Sequence, residues 1–404
     1  MDWNFKLRAK SAVEKSKEFI EKLTVDSDVN YPAKIVTSGN QFFSWDNERR
    51  SKENGEPYLY SWSYYNGVVF EGLKYIYEAT GEQRYISYIR EYLDAMITDG
   101  ELNEHAGYVP YHGLDCYKTA SLMADLCEFD ESGKPLDNEY NKVAAGLYHD
   151  LVTVNVFYTE EALGGNYWHA WHGKSTLAYK VWLDGIYMAQ PFIARYAWKS
   201  KDKEQQAAIY KRFRWVSDNM IAPNGLYYHA VNSKEDVCKF FWLRAIGWYA
   251  MAQVDVMEYM PEEYLPDMKK DLKRFIDGML RFQDESGMWK NLVDQPLTEK
   301  NRLETSGTAM IIYCILKAIR IGYLEDVDGN YMYAAQKAFC YIVEEKLGDN
   351  GLKDIYLVAS ASGKNVYEII ERYKDDEGKG TGPFIMAYAE MIKVEEVENE
   401  KNYF

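Results

Sequence analysis

Residues 306–324 read SGTAMIIYCILKAIRIGYL, a small residue followed by a long helical run that is apolar on most of its faces. Such a helix has to be buried nearly all round. The pattern recurs at NGVVFEGLKYIYEATG (66–81), DGIYMAQPFIARYA (184–197), IGWYAMAQVDVMEYM (246–260) and TGPFIMAYAEMI (381–392). The small residues that open these runs are Gly67, Gly185, Gly247, Gly307 and Gly382. They fall roughly 60 residues apart once the first interval is counted as two repeats. A sixth member is due near residue 120, and LDCYKTASLMADLCEF (114–129) supplies it.

Charge-rich amphipathic segments alternate with the apolar ones, at 5–23, 82–98, 137–152, 203–219, 265–282 and 331–346. Several follow turn signals such as ATGEQ, DESGKPLDN and MPEEYLPD. Only ten prolines interrupt the chain and spacings of three and four dominate, so the fold class is all-α. Six helices buried on most sides and six buried on one, in strict alternation, predict an (α/α)6 barrel of six inner and six outer helices. An open helical solenoid shares that period. Closure is favoured because the N-terminal amphipathic helix can pair with the last apolar one. No linker breaks residues 1–404, which read as one domain.

Composition narrows the function. The balance of 47 Lys and Arg against 63 Asp and Glu leaves a net charge of −16, without a basic run, which excludes an electrostatic nucleic-acid binder. No stretch is long and apolar enough for a membrane span, and the charged N-terminus is no signal peptide, so the expected location is the cytoplasm. The five cysteines have no CxxC pair and read as buried thiols. With 36 Tyr, 11 Trp and 16 Phe the chain is rich in flat amphipathic surfaces, which suit the apolar faces and hydroxyl edges of sugars.

In the barrel reading the N-termini of the inner helices gather at one end, and that end carries SWSYYNG (61–67), YHGLDCYK (111–118), KVWLDG (180–185), FWLRAIGW (241–248), RLETSG (302–307) and GKGTGP (378–383). Asp184 and Asp115 occupy corresponding places. Each could be an N-cap. Together they would also put two carboxylates in one cavity, the minimum for acid–base work on sugars. His169 and His172 stand in the loop GGNYWHAWHGKSTLAYKVWLDG leading to Asp184, and His229 in the loop before the fourth inner helix. The HxxH spacing lacks a third ligand, so no metal or other cofactor is expected. Arg244, with Trp248 one turn on, needs an anion from the protein or from a ligand. Tyr64, Tyr65 and Trp182 complete the candidates for substrate contact.

The blocks WLDGIYMAQPFIARYA, FFWLRAIGWYAMAQVDVMEYMP, LETSGTAMIIYCILKAIRIGYL and GKGTGPFIMAYAEM, in that order over residues 182–391, resemble glycoside hydrolase family 105, the unsaturated rhamnogalacturonyl hydrolases. More distantly they resemble family 88, the unsaturated glucuronyl hydrolases. The resemblance implies an (α/α)6 barrel that removes the 4,5-unsaturated uronic acid from the non-reducing end of lyase-generated oligosaccharides, such as unsaturated rhamnogalacturonan. It implies hydration of the enol ether, with a proton to C4 and water to C5. By the same resemblance Asp184 is the proton donor, Asp115 the second carboxylate, and His229, Arg244 and Trp248 contact substrate. Either His169 or His172 matches the family's Trp-His pair. Burial near Trp182 and the charge of Asp115 would raise the pKa of Asp184 towards working pH.

Other readings predict other behaviour. An inverting glycosidase would use Asp115 and Asp184 on saturated glycosides. A sugar epimerase would transfer protons through histidines and release no second sugar. A non-enzymatic scaffold would be an open superhelix with no central pocket. The sequence leaves homo-oligomerisation and the aglycone sugar open.

Overall fold

A Cβ at Gly382 would stand 2.6 Å from Val68 Cγ1 and 2.8 Å from the Val68 carbonyl carbon, so the last apolar helix touches the first backbone to backbone. That contact closes a ring. The computed structural model describes residues 3–25, 62–106, 108, 113–154, 161–169, 181–233, 236–348, 351–357, 373–375 and 377–401. Among these, twelve α-helices alternate between two layers. The inner layer is α2 (Tyr64–Thr80), α4 (Ala120–Leu126), α6 (Leu183–Lys199), α8 (Leu243–Met257), α10 (Thr305–Arg320) and α12 (Gly378–Lys401). The outer layer is α1 (Trp3–Val25), α3 (Gln83–Asp94), α5 (Glu139–Val152), α7 (Lys203–Asn219), α9 (Leu265–Leu280) and α11 (Asn330–Tyr341).

Each inner helix packs on the next, α2 on α4, α4 on α6 and so on to α12, and α12 packs on α2. The expected (α/α)6 barrel is therefore closed. The N-terminal helix α1 lies against α11 and α12, as its amphipathic pattern required. This ring, with a cavity at one end, removes the open-scaffold alternative.

Exposure follows the two layers. In α8 every residue from Leu243 to Met257 is buried, whereas α9 buries only one stripe, including Met268, Leu272, Phe275 and Met279. The second inner helix departs from the pattern. Its first part is a 3-10 turn, Leu114–Tyr117, and α4 proper is only seven residues long. His149 is exposed on α5. All five cysteines are free, and all but Cys116 are buried. Among the described residues no helix is long and apolar enough to cross a membrane.

Candidate active site

A ring of backbone hydrogen bonds orders the end of the barrel where the inner helices begin. Trp62 N donates to Ala106 O (2.8 Å), Leu114 N to His169 O (2.9 Å), Leu183 N to His229 O (3.1 Å), Leu243 N to Asn291 O (2.8 Å) and Thr305 N to Asp354 O (3.2 Å). Five of the six inner helices thus begin against the loop that leads to the next one. The consequence for chemistry is local. Asp115 follows Leu114 and meets His169, with Nε2 3.9 Å from Oδ1, while Asp184 follows Leu183 and meets His229, with Nε2 3.3 Å from Oδ2. Two carboxylate–histidine pairs in register therefore arise from one repeated backbone contact.

Neither aspartate is an N-cap. The residue before α6 is Trp182, whose side chain does not cap the helix; Asp184 lies in the helix's first turn, with its buried Oδ2 facing His229 Nε2. Asp115 lies inside the 3-10 turn, which begins after Gly113. Both carboxylates line the same cavity of about 130 Å³, and Asp115 is the more exposed, its side chain 43% accessible against 22% for Asp184.

The expected rise in the Asp184 pKa is not what the site produces. Burial does push the carboxyl up, but His229, His169 and Arg244 together pull harder, and the carboxyl ends below its ordinary value. Burial near Trp182 and the charge of Asp115 are the grounds for a rise; His229, His169 and Arg244 around the carboxyl reverse its direction. His229 is fully buried, and neither of its ring nitrogens finds a hydrogen-bond partner among the described residues. His169 Nδ1 is likewise unpartnered. A Cβ at Gly185 would stand 2.9 Å from that nitrogen, so the glycine that opens α6 leaves room for the imidazole.

Aromatic rings form the walls. Trp182 stacks on His169 at 5.0 Å and 13° and meets His229 edge-on at 5.1 Å, so one indole orients both histidines. Trp248 lines the cavity and stacks on Tyr187 behind it at 5.0 Å. Tyr64 lines the cavity too, but Tyr65 does not; it stacks on Tyr64 at 4.0 Å from outside. His172 lies outside the described residues.

Met188, Trp242 and Leu357 also line the cavity and were not singled out in the sequence. Trp242 had a signal. It begins Trp-Leu-Arg before α8 as Trp182 begins Trp-Leu-Asp before α6, and its buried Nε1 has no hydrogen-bond partner among the described residues.

Arg244 meets protein groups as well as the cavity. Its guanidinium donates to Tyr356 O and, at 3.0 Å, to Leu357 O, and stands 3.9 Å from Glu304. Glu304 is occupied as the N-cap of α10, accepting from Gly307 N at 2.7 Å and Ser306 N at 3.2 Å. Lys379 adds a second cation, donating to the same Leu357 O at 2.6 Å; burial, with Arg244 nearby, pulls its ammonium down to about 7. Among the described residues no three His, Cys, Asp or Glu side chains gather as a metal cradle.

The sequence model of Glycosyl Hydrolase Family 88 matches residues 42–395, nearly the whole chain. The chain belongs to glycosyl hydrolase family 88. The family 105 glycoside hydrolase of C. acetobutylicum ATCC 824 is 27% identical and superposes with a TM-score of 0.70, over 87% of this chain and 99% of that one. The unsaturated rhamnogalacturonyl hydrolase YesR of Bacillus subtilis (strain 168) is 23% identical over 83% of this chain and 90% of its own. The unsaturated glucuronyl hydrolase of Bacillus sp. GL1, 16% identical with a TM-score of 0.57 over 80% of this chain and 85% of that one, shares the fold. The family 88 protein is a glycoside hydrolase, and the resemblance to families 105 and 88 read from its inner helices holds.

Proposed function

We propose that this family 88 hydrolase removes a 4,5-unsaturated uronic acid from the non-reducing end of lyase-generated oligosaccharides, with unsaturated rhamnogalacturonan as the preferred class. The observation that carries this reading is the convergence of Asp184, Asp115, His169 and Arg244 on one aromatic-walled cavity, with His229 buried behind Asp184 rather than lining it. Indole faces suit a flattened sugar ring, and the cations suit its carboxylate. The name of YesR supports the rhamnogalacturonan preference.

In the reaction, Asp184 gives its proton to C4 and the C4=C5 π electrons form the new C–H bond. Positive charge develops at C5 and the ring oxygen, where the ionised Asp115 stabilises it. Water adds to C5 and returns a proton to Asp184. The hemiketal so formed opens to a C5 ketone, and the hemiacetal left at C1 releases the aglycone. No glycosidic carbon is attacked directly.

The lowered pKa of Asp184 in the free enzyme then has a role for substrate. A uronate carboxylate beside Arg244 and the histidines offsets the charges that hold the Asp184 pKa down, and the sugar displaces water; both push the carboxyl up. Protonated Asp184 therefore binds substrate better than the ionised form. In pH–rate profiles the basic limb of kcat is expected at higher pH than that of kcat/KM, because the first reports the complex and the second the free enzyme. Coincident limbs would remove this account of how the acid is charged.

Arg244→Ala is expected to raise KM for the unsaturated disaccharide by roughly 10- to 100-fold with a smaller change in kcat, the cost of about 1.5–3 kcal/mol for a charge-assisted hydrogen bond. An unchanged KM would remove Arg244 from carboxylate recognition. Loss of ultraviolet absorbance on a panel of lyase products from pectin, ulvan and glycosaminoglycans identifies the aglycone. The reading treats the barrel as one catalytic domain and places it in the cytoplasm, where its free thiols would persist.

A further inference from the structure

Below the cavity, the barrel axis is filled with charge. Glu71 on α2, Lys118 just before α4, Arg195 on α6 and the Asp255–Lys317 pair between α8 and α10 are all buried, with Glu71 bonded to both Lys118 and Arg195. The proposed reaction uses none of them. Lys118 differs from the rest in what surrounds it. Its backbone N–H donates to Asp115 O at 3.4 Å, so it closes the 3-10 turn that carries the second carboxylate. Its ammonium lies 4.2 Å from the centre of the Tyr187 ring, and Trp248 stacks on the same ring at 5.0 Å and 19°. The Tyr187 hydroxyl points to Glu71 Oε2 at 3.4 Å.

We propose that Lys118 is a positioning residue for the active site: fixed to Glu71 on the barrel axis, it holds the Asp115 turn and the Tyr187 ring that backs Trp248. Two contacts lead from Lys118 to two sides of the cavity, one from its backbone N–H to the Asp115 turn and one from its ammonium, held by Glu71, to the Tyr187 ring. The short α4 makes such an anchor necessary, because seven residues form two turns and hold their own geometry weakly. A methionine would fill the same space with similar length, and would leave Glu71 to Arg195. What it could not do is bind Glu71 or attract the Tyr187 ring.

This inference rests on the proposed reaction, so wild-type turnover of the unsaturated disaccharide is established first; its absence would overturn that reading rather than this one. Lys118→Met is then expected to lower kcat/KM by about 10- to 100-fold, assayed well below its melting temperature. In an Asp115→Asn background the part of that effect carried by the 3-10 turn should disappear, while the part carried by Tyr187 and Trp248 should remain as a raised KM. Lys199→Met is the control. Lys199 holds the far end of α4 through the carbonyls of Ala124, Asp125 and Cys127, at 2.6, 2.9 and 3.0 Å. Its loss loosens the same helix without touching the Asp115 turn, and kcat/KM should stay within about twofold. Equal losses in the two methionine variants, or a wild-type kcat/KM in Lys118→Met, overturn the proposal. Should Lys118→Met not fold, Tyr187→Leu keeps the Lys118–Glu71 pair and removes the ring behind Trp248. A raised KM with little change in kcat supports the proposal, and an unchanged KM overturns it.

Discussion

Asp184→Asn folds as the wild type does and loses turnover, with kcat reduced by about 10³- to 10⁴-fold, the upper part of the range for a missing general acid. The two halves of this result have separate physical grounds. The carboxylate does not cap the helix, and its Oδ2 faces His229 Nε2 at 3.3 Å, a contact an amide of the same shape can keep, so α6 is left undisturbed. Some stability is lost at neutral pH. His229, His169 and Arg244 favour the ionised form, and a carboxyl held below its ordinary pKa stabilises the fold above that ordinary value and ceases to do so as pH falls through the folded one. Asparagine cannot supply that attraction, but it also escapes the burial cost of the charge. The net shift in melting temperature should be a few degrees. Activity behaves differently because an amide has no proton to give to C4. Retained turnover in a well-folded Asp184→Asn protein would move the proton donor elsewhere.

Glu71→Gln has the largest expected effect on stability. Glu71 is fully buried and bonded to Lys118 and Arg195, the second of which also reaches Asp125 at 3.2 Å. Burial pushes the Glu71 carboxyl up, yet Arg195, Lys118 and Lys74 outweigh it and hold the group well below the usual carboxylate range. Its stabilisation is therefore complete above that usual range and is lost only in strong acid, as pH falls through the lowered value. Glutamine keeps the shape but removes the charge and leaves a single acceptor oxygen, so it cannot serve both Lys118 and Arg195, and one of the two cations faces an NH2 donor instead. Breaking one side of a buried ion pair costs about 3–5 kcal/mol. For a chain of this length that corresponds to a fall in melting temperature of about 5 °C, from roughly 2.1 cal/mol/K of unfolding entropy per residue. A melting temperature unchanged at neutral pH would show that the axial charges do not hold the barrel together.

The layers of the barrel were legible because each repeat carries its own signal. Gly307 and Gly382 open apolar helices, and the amphipathic segments between them fall within a few residues of the outer helices found. The charged axis was not. Glu71, Arg195, Asp255 and Lys317 each look like one exception within an apolar helix, and the partners that explain them come from other repeats. The same holds for the aspartate–histidine pairs. Asp184 and His229 were separately visible, but the bond from Leu183 N to His229 O that brings them together depends on how neighbouring repeats stack. Asp115 and Asp184 looked alike in sequence because both precede an apolar helix; the structure gives one a 3-10 turn and the other a helix's first turn. Trp242 repeats the place of Trp182, so attention to register would have found it.

The most direct test compares two disaccharides that differ only at C4–C5, one carrying the double bond of a lyase product and the other its saturated uronate. The expected result is loss of ultraviolet absorbance matched mole for mole by released aglycone on the first, and no release from the second. Release from the saturated disaccharide at a comparable rate would contradict hydration of the double bond and return Asp115 and Asp184 to an ordinary inverting pair.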